Sequence, residues 1–280
     1  MARPHISILY GEPIAYPWDA LYRPLWSGEL QPPTANEFVL TDGDSFRVVF
    51  EGNFTVVGGD VTGGTVTGFS AFAGSTKMVE GAKFEIEAAA LFDSLETTGS
   101  PFLYFDMIFG RGIKWIGSQF DDQWLSGDDF NDKILGLDGN DTLYGYDGND
   151  LIKGGKGNDL LSGDDGFDRL YGNAGKDVFE FYLNPEYPRI GFDKIMDFKV
   201  GHDLIGLRAF GLLPGLLDPK YFHRGTEAET ESQVIIYDKS TGRLFFDVDG
   251  IGIEAQLQFA KVKPGTKLHA HDFMVEDELA

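Results

Sequence analysis

Six aspartates carry the chemistry of this sequence. Asp132, Asp141, Asp150, Asp159, Asp168 and Asp177 recur every nine residues, each five positions after a glycine: Gly127, Gly136, Gly145, Gly154, Gly163 and Gly172. Carboxylates repeated in register invite a cation. If successive turns stack at the strand spacing of roughly 4.8 Å, their aspartates face one another. Two carboxylates about 5 Å apart repel by roughly 1 kcal/mol in water and by about 3 kcal/mol at an effective dielectric of 20. A hard divalent cation between the turns reverses that sign. Carboxylates joined by peptide carbonyls give an all-oxygen cage, which suits Ca²⁺ better than the smaller, geometrically strict Mg²⁺. The chain has no cysteine and the repeats contain no histidine, so zinc and copper are disfavoured there.

The spacing also specifies the elements that must hold these aspartates. Two positions after each comes a large apolar residue: Ile134, Leu143, Ile152, Leu161, Leu170 and Phe179. The Gly-x-x-Gly-Asn-Asp stretch reads as a sharp turn, because glycine and asparagine tolerate positive φ. The next three residues are enough only for a short strand whose middle residue points inward. Such a strand cannot stand alone and must stack on copies of itself. Two nonapeptides then make one coil of 18 residues, with strands on two faces, turns on two edges and the apolar residues between the faces. A solvated Gly/Asp-rich linker has no reason to keep that apolar position.

Gly154-Gly155-Lys156-Gly157-Asn158-Asp159-Leu160-Leu161-Ser162 resembles the nonapeptide Gly-Gly-x-Gly-x-Asp-x-apolar-x of the RTX (repeats-in-toxin) family, and the units starting at Gly136 and Gly145 match except at the second glycine. The resemblance implies an all-β chain with a C-terminal parallel β-roll and several Ca²⁺ ions, each between turns n and n+2 of one edge. Carried over by position, the carboxylate pairs are Asp132 with Asp150, Asp141 with Asp159, Asp150 with Asp168, and Asp159 with Asp177. Peptide carbonyls of the turns complete the cages. The turn residues Asp138, Asn140, Asp147, Asn149, Lys156, Asn158 and Asp165 belong to the same metal-facing set. Phe130 replaces the fourth-position glycine of the first unit, and Phe167 and Lys176 replace the asparagine of the last two. Gly117 to Asp122 reads as a seventh, degenerate turn, one residue out of phase. The segment from Phe192 to Leu207 resembles the stretch after the repeats in serralysin-type RTX proteins. In it Asp193, Asp197 and Asp203 are either further ligands or plain turn caps.

The chain of 280 residues, 42% hydrophobic with 24 phenylalanines, can bury a large core. Its net charge of −22 argues against nucleic acid and against an anionic membrane surface not bridged by calcium. No run approaches the ~20 apolar residues of a membrane span, and the N-terminus lacks the apolar core of a cleaved signal peptide. The RTX resemblance implies secretion to the extracellular space through a type I apparatus that reads an uncleaved C-terminal signal. The repeats would stay unfolded at low cytosolic calcium and fold outside, since extracellular modules bind calcium at about 10⁻⁴–10⁻³ M.

Before the repeats, residues 1–116 are expected to form a small β-rich domain. Residues 1–36, rich in proline and aromatics, read as an irregular arm packed on the next sheet. Strands are expected at Phe38–Leu40, Phe46–Phe50 and Phe54–Val57, with turns at Asp42–Asp44 and Gly52-Asn53. Gly58 to Gly68 echoes a short Val-Thr-Gly strand-and-turn, and Phe69 to Met78 continues the meander. A short helix is expected over Ile86 to Leu95 and a strong strand over Phe102 to Phe109. The roll spans 117–183 and a β extension 184–280, with a hairpin of Val234–Tyr237 and Leu244–Val248 and a last strand over Ala255 to Val262.

Catalytic motifs are incomplete. Gly43-Asp44-Ser45-Phe46 resembles the Gly-Asp-Ser block of one esterase class, but the Asp-x-x-His that class needs is missing, as are Gly-x-Ser-x-Gly and His-Glu-x-x-His. The five histidines are scattered, and His269-x-His271 reads as a solvated pair. The chain is therefore read as a secreted calcium-binding protein, not an enzyme, whose N-terminal part is a binding or surface-interaction module of unspecified ligand. A hydrolase with an unrecognised active site and a purely structural protein are the alternatives.

Overall fold

The computed structural model describes residues 5–8, 29–30, 34–41, 46–57, 60–73, 76–87, 114–122, 125–184, 186, 190–209, 212–252 and 255–276. The chain divides into two compact units, Met1–Ser118 and Gln119–Ala280. Among the described residues, all regular structure is β apart from two three-residue 3₁₀ turns, Pro219–Tyr221 and Ala270–Asp272. No described helix is long and apolar enough to cross a membrane.

The described strands of the first unit form one sheet. Thr76–Glu87, Asp60–Ala73, Phe46–Val57, Glu37–Thr41 and Glu29–Leu30 pair in that order, all antiparallel; His5–Ile8 pairs antiparallel with Thr76–Glu87 and parallel with Lys114–Ile116. Alternation assigns the faces: Val48, Phe50 and Phe54 are buried, while Arg47, Glu51 and Thr55 are exposed. Phe50 and Phe69 are register partners with ring centroids 6.4 Å apart.

Two sequence expectations fail in this sheet for one reason. Gly52-Asn53 is not a turn, and Val61 to Gly68 is not a strand-and-turn. Phe46–Val57 and Asp60–Ala73 run through both as long strands, with register shifts between Glu51 and Gly52 and between Thr55 and Val56. A Cβ on Gly52 would collide with the Thr65 carbonyl, so the glycine marks a bulge and a close approach of two backbones. His5–Ile8 and Glu29–Leu30 are strands inside the segment read as an irregular arm. Ile86 and Glu87 finish a strand. The rest of the expected helix, most of the arm and the expected strand over Phe102 to Phe109 lie outside the described residues.

The second unit is a parallel β-roll of two sheets. One carries Lys133–Asp138, Leu151–Lys156, Arg169–Ala174 and Asp193–Ile195; the other carries Leu125–Ser126, Thr142–Tyr144, Leu160–Ser162, Val178–Leu183, Leu204–Ala209 and Phe273–Val275. The register is the 18-residue coil: Ile134 pairs with Ile152, Ile152 with Leu170, Leu143 with Leu161, and Leu161 with Phe179. All six apolar repeat residues are fully buried.

Beyond the repeats the coil continues across insertions. Leu170 pairs with Ile195 and Phe179 with Ile205. Ile205 then pairs with Phe273, after an excursion holding the antiparallel hairpin Ile235–Asp238/Arg243–Phe246 and the strand Leu257–Lys261.

Candidate metal centre

The roll sets its aspartates in two rows, one per edge, and the six of the repeats each sit just before a strand. Asp132, Asp150, Asp168 and Asp193 form one row; Asp122, Asp141, Asp159, Asp177 and Asp203 form the other. Within a row the bonding is uniform. The Oδ1 of each aspartate accepts the backbone N–H of the aspartate one coil earlier: Asp150 from Asp132 at 2.7 Å, Asp168 from Asp150 at 2.7 Å, Asp159 from Asp141 at 3.0 Å and Asp177 from Asp159 at 3.2 Å. The aspartates of the repeats are at most 2% exposed.

The second oxygen separates the inner turns from the outer ones. In Asp141, Asp150, Asp159, Asp168 and Asp177, Oδ2 is buried and has no hydrogen-bond partner. In Asp132, Oδ2 accepts the Asp128 N–H at 2.7 Å; in Asp203 and Asp272 it accepts those of Lys199 and His269, both at 2.8 Å. The turns of Asp132, Asp203 and Asp272 thus close on themselves, and the five turns of Asp141, Asp150, Asp159, Asp168 and Asp177 do not. A buried unpaired carboxylate oxygen is costly enough that five in register require a partner.

The glycines explain where that partner would fit. A Cβ on Gly127, Gly136, Gly145, Gly154, Gly163 or Gly172 would run into the Oδ2 of the aspartate five residues on. On Gly127, Gly136 and Gly145 it would also stand 2.5, 2.6 and 2.7 Å from the carbonyl oxygens of Gly145, Gly154 and Gly163, one coil further. All six positions therefore face a carboxylate oxygen, and the first three a peptide carbonyl as well. Among the described residues no three carboxylate or imidazole side chains converge on one point. A cation would draw on carboxylates one coil apart and take its remaining ligands from the backbone. That donor set is all oxygen and fits Ca²⁺.

Electrostatics agrees with the geometry. Burial, opposed by backbone hydrogen bonds and reinforced by neighbouring carboxylates, pushes Asp141 and Asp150 up to about 8 and Asp159 up to about 6. Burial raises Asp168 as well, and the Asp193 carboxylate beside it adds to the effect. Without a cation, burial biases Asp141 and Asp150 toward their neutral form.

The other turn residues take different places. Glycines at the fourth position carry positive φ, from 119° at Gly139 to 152° at Gly175. So do the second-position residues Leu137, Tyr146, Gly155, Asp164 and Asn173. The fifth-position asparagines do not, contrary to the turn expected from sequence. Their side chains staple the coils instead: Oδ1 of Asn140 accepts the N–H of Asn158 at 2.7 Å, that of Asn149 accepts Phe167 at 3.0 Å, and that of Asn158 accepts Lys176 at 2.9 Å. Lys156 sends its ammonium outward to Asp138 at 2.8 Å, while its carbonyl accepts the N–H of Gly139. Asp147 is exposed, and Asp165 accepts the N–H of Ile190 at 3.1 Å.

Asp193 and Asp203 join the rows. Asp197 does not, because its two oxygens accept the N–H groups of Gly172 and Asn173 at 3.0 and 2.9 Å. Asp122 joins from the out-of-phase turn, at a separation of 19 residues from Asp141. Asp272, which sequence reasoning missed, accepts the Gly201 N–H at 3.2 Å from a chain segment 71 residues away. Only the strand just after it, with its buried Phe273 and Val275, could have signalled this.

Comparison with known families agrees. Residues 126–161 and 154–181 match the RTX calcium-binding nonapeptide repeat, in four copies. Among solved structures, the chain is 30% identical to the R3 subunit of the Azotobacter vinelandii mannuronan C5-epimerase AlgE6, over 57% of this chain and 80% of that one, with a TM-score of 0.23. No curated protein matches the chain.

Proposed function

Since this chain is an RTX-type calcium-binding repeat protein by residues 126–181, we propose that it is secreted and that its roll folds on meeting extracellular calcium. The N-terminal unit is the module displayed by that roll, for binding or surface interaction. The ligands are the orphaned carboxylate oxygens of Asp141, Asp150, Asp159, Asp168 and Asp177, with Asp132 at the row's end and peptide carbonyls of the turns. The asparagines and Lys156 contribute through their backbone.

The observation that carries this reading is the column of buried, partnerless Oδ2 atoms facing glycine gaps. Its energetic meaning is direct. A site of Kd about 10⁻⁴ M, met by a hundredfold excess of calcium, stabilises the folded state by about 2.7 kcal/mol. Four such sites together match the whole stability of an ordinary domain, which is about 5–15 kcal/mol. At cytosolic calcium, far below that Kd, this stabilisation vanishes and the cost of burying the carboxyls remains. A chain that is unfolded inside and folded outside suits type I export, and a chain without cysteine gains its external stability from metal instead of disulfides.

The test is a calcium titration of the full chain, from chelated to about 10 mM, well above the expected Kd, read by far-UV circular dichroism and calorimetry. A cooperative gain of β signal with several ions bound supports the reading. A chain fully folded in chelator, with no bound calcium, ends it.

A further inference from the structure

The second unit holds a cleft of about 560 Å³, remote in sequence from the aspartate rows of the repeats. Its walls come from three pieces of the post-repeat extension: Leu216 to Pro219, Phe222 to Arg224, and His269 to His271. The volume lies within the range of roughly 300–1,000 Å³ typical of small-molecule sites. In a chain of net charge −22, three of the five histidines and one arginine line this single cleft.

The arginine is oriented, not loose. Arg224 Nε donates to the Leu268 carbonyl at 2.8 Å, and Nη2 lies 2.6 Å from His269 Nδ1. A guanidinium can only donate, so Nδ1 is the acceptor and the neutral ring of His269 carries its proton on Nε2. Arg224 thus spends its anchoring bonds on a carbonyl and an imidazole rather than on a carboxylate, and its Nη1 edge is left to donate. The carboxylate of the same cleft, Asp218, is engaged elsewhere: it accepts the Lys220 N–H at 3.0 Å and faces the Lys220 ammonium at 3.3 Å.

Metal chelation does not suit the histidines. The rings of His269 and His271 stack with centroids 5.1 Å apart and planes 15° apart, so they present faces to each other and do not aim their nitrogens at a shared ion. The floor is apolar, with Leu217 only 3% exposed and Phe222 packed on Phe273 at 5.4 Å between centroids.

We propose that this cleft binds a small organic monocarboxylate, its carboxylate on Arg224 and His269 and its apolar body against Leu217, Pro219 and Phe222. One guanidinium with a neutral imidazole donor matches a single negative charge. A dianion such as a phosphate monoester would meet the repulsion of the acidic chain with half its charge unanswered.

The test uses the full calcium-loaded chain with benzoate as the probe, observed by ¹H–¹⁵N NMR and calorimetry. Benzoate is expected to bind at millimolar Kd, shifting resonances of Phe222 to Arg224 and of His269 to His271. Benzyl alcohol, the neutral analogue, is expected to bind at least tenfold more weakly, and sulfate more weakly than benzoate. Arg224→Gln should weaken benzoate at least tenfold. Should that variant disturb the Leu268 anchor and fail to fold, His269→Phe, which keeps a ring but removes the second donor, should weaken benzoate severalfold. Equal binding of benzyl alcohol, tighter binding of sulfate, no binding of benzoate, or unchanged benzoate affinity in the folded variant overturns the proposal.

Discussion

Asp159 extends its Oδ2 into the space where a Cβ of Gly154 would stand, and that oxygen has no partner in the protein. Glycine and aspartate, five residues apart, define one gap between them: the first keeps it open and the second gives it charge. Gly154→Ala fills the gap with a methyl group. The expected result is the loss of one ion from the calcium stoichiometry, or at least a tenfold fall in affinity at that step, read by calorimetry. A variant that binds as many ions as tightly as the parent would show that the gap is not the site.

Asp150→Asn separates the two tasks of one carboxyl. The amide oxygen can still accept the Asp132 N–H, now bound by Oδ1 at 2.7 Å. The other atom becomes an NH₂ that cannot ligate a cation. The calcium-free roll should gain stability, since a desolvated carboxyl is gone, while the stabilisation added by calcium should drop by about 2–3 kcal/mol. The residual β signal in chelator, by far-UV circular dichroism, reads the first, and chemical denaturation in calcium reads the second. Loss of stability in chelator would mean that the charge itself holds the turn.

Asn158→Ala tests the opposite role. Asn158 Oδ1 accepts the Lys176 N–H, so its removal should cost about 1 kcal/mol of stability. The number of calcium ions bound should not change. A missing ion in calorimetry would make the asparagine side chain a ligand.

The pH response should reverse sign with calcium. In its absence burial holds Asp141 and Asp150 up to about 8 and Asp159 up to about 6, above the usual value near 4. A folded state that binds protons more tightly than the unfolded chain draws full stability from them below pH about 4, and loses it as pH rises through about 6 to 8. The metal-free chain should therefore hold less β structure at pH about 9 than at pH about 5. Calcium requires the ionised carboxylates, so with calcium the acid side becomes the weaker one. Far-UV circular dichroism of the metal-stripped chain and thermal melts of the calcium-loaded protein, each at both pH values, decide it; the same trend in both samples contradicts the assignment.

Leu161 is fully buried between Leu143 and Phe179 in the register of its sheet. Leu161→Ala should cost about 2–5 kcal/mol of calcium-loaded stability by leaving a cavity. Because the side chain lies in the core between the sheets and offers no ligand atom, the calcium stoichiometry of the folded variant should stay that of the parent. Denaturant melts and calorimetry on one sample check both statements.

The sequence alone determined the coil. A spacing of nine with an aspartate, a glycine and an apolar residue in fixed phase is a local, translational pattern. Stacking like on like is its only burial solution, so the pairing of Ile134 with Ile152 and of Asp132 with Asp150 is legible in the spacing. What the spacing leaves open depends on segments that meet from far apart. Gly52 reads as a turn because glycine is permissive, and only the approach of Thr65 makes it a bulge in a long strand. Asp193, Asp197 and Asp203 are the same residue type in similar local contexts, yet two extend the rows and one caps a turn, according to which backbone N–H groups each finds. Asp272 reaches its place at the end of a row only because the chain returns after a long excursion. The five partnerless oxygens, and the cleft that gathers Arg224 with three histidines, are likewise products of packing: spacing fixes what repeats, and tertiary structure decides what is left unpaired.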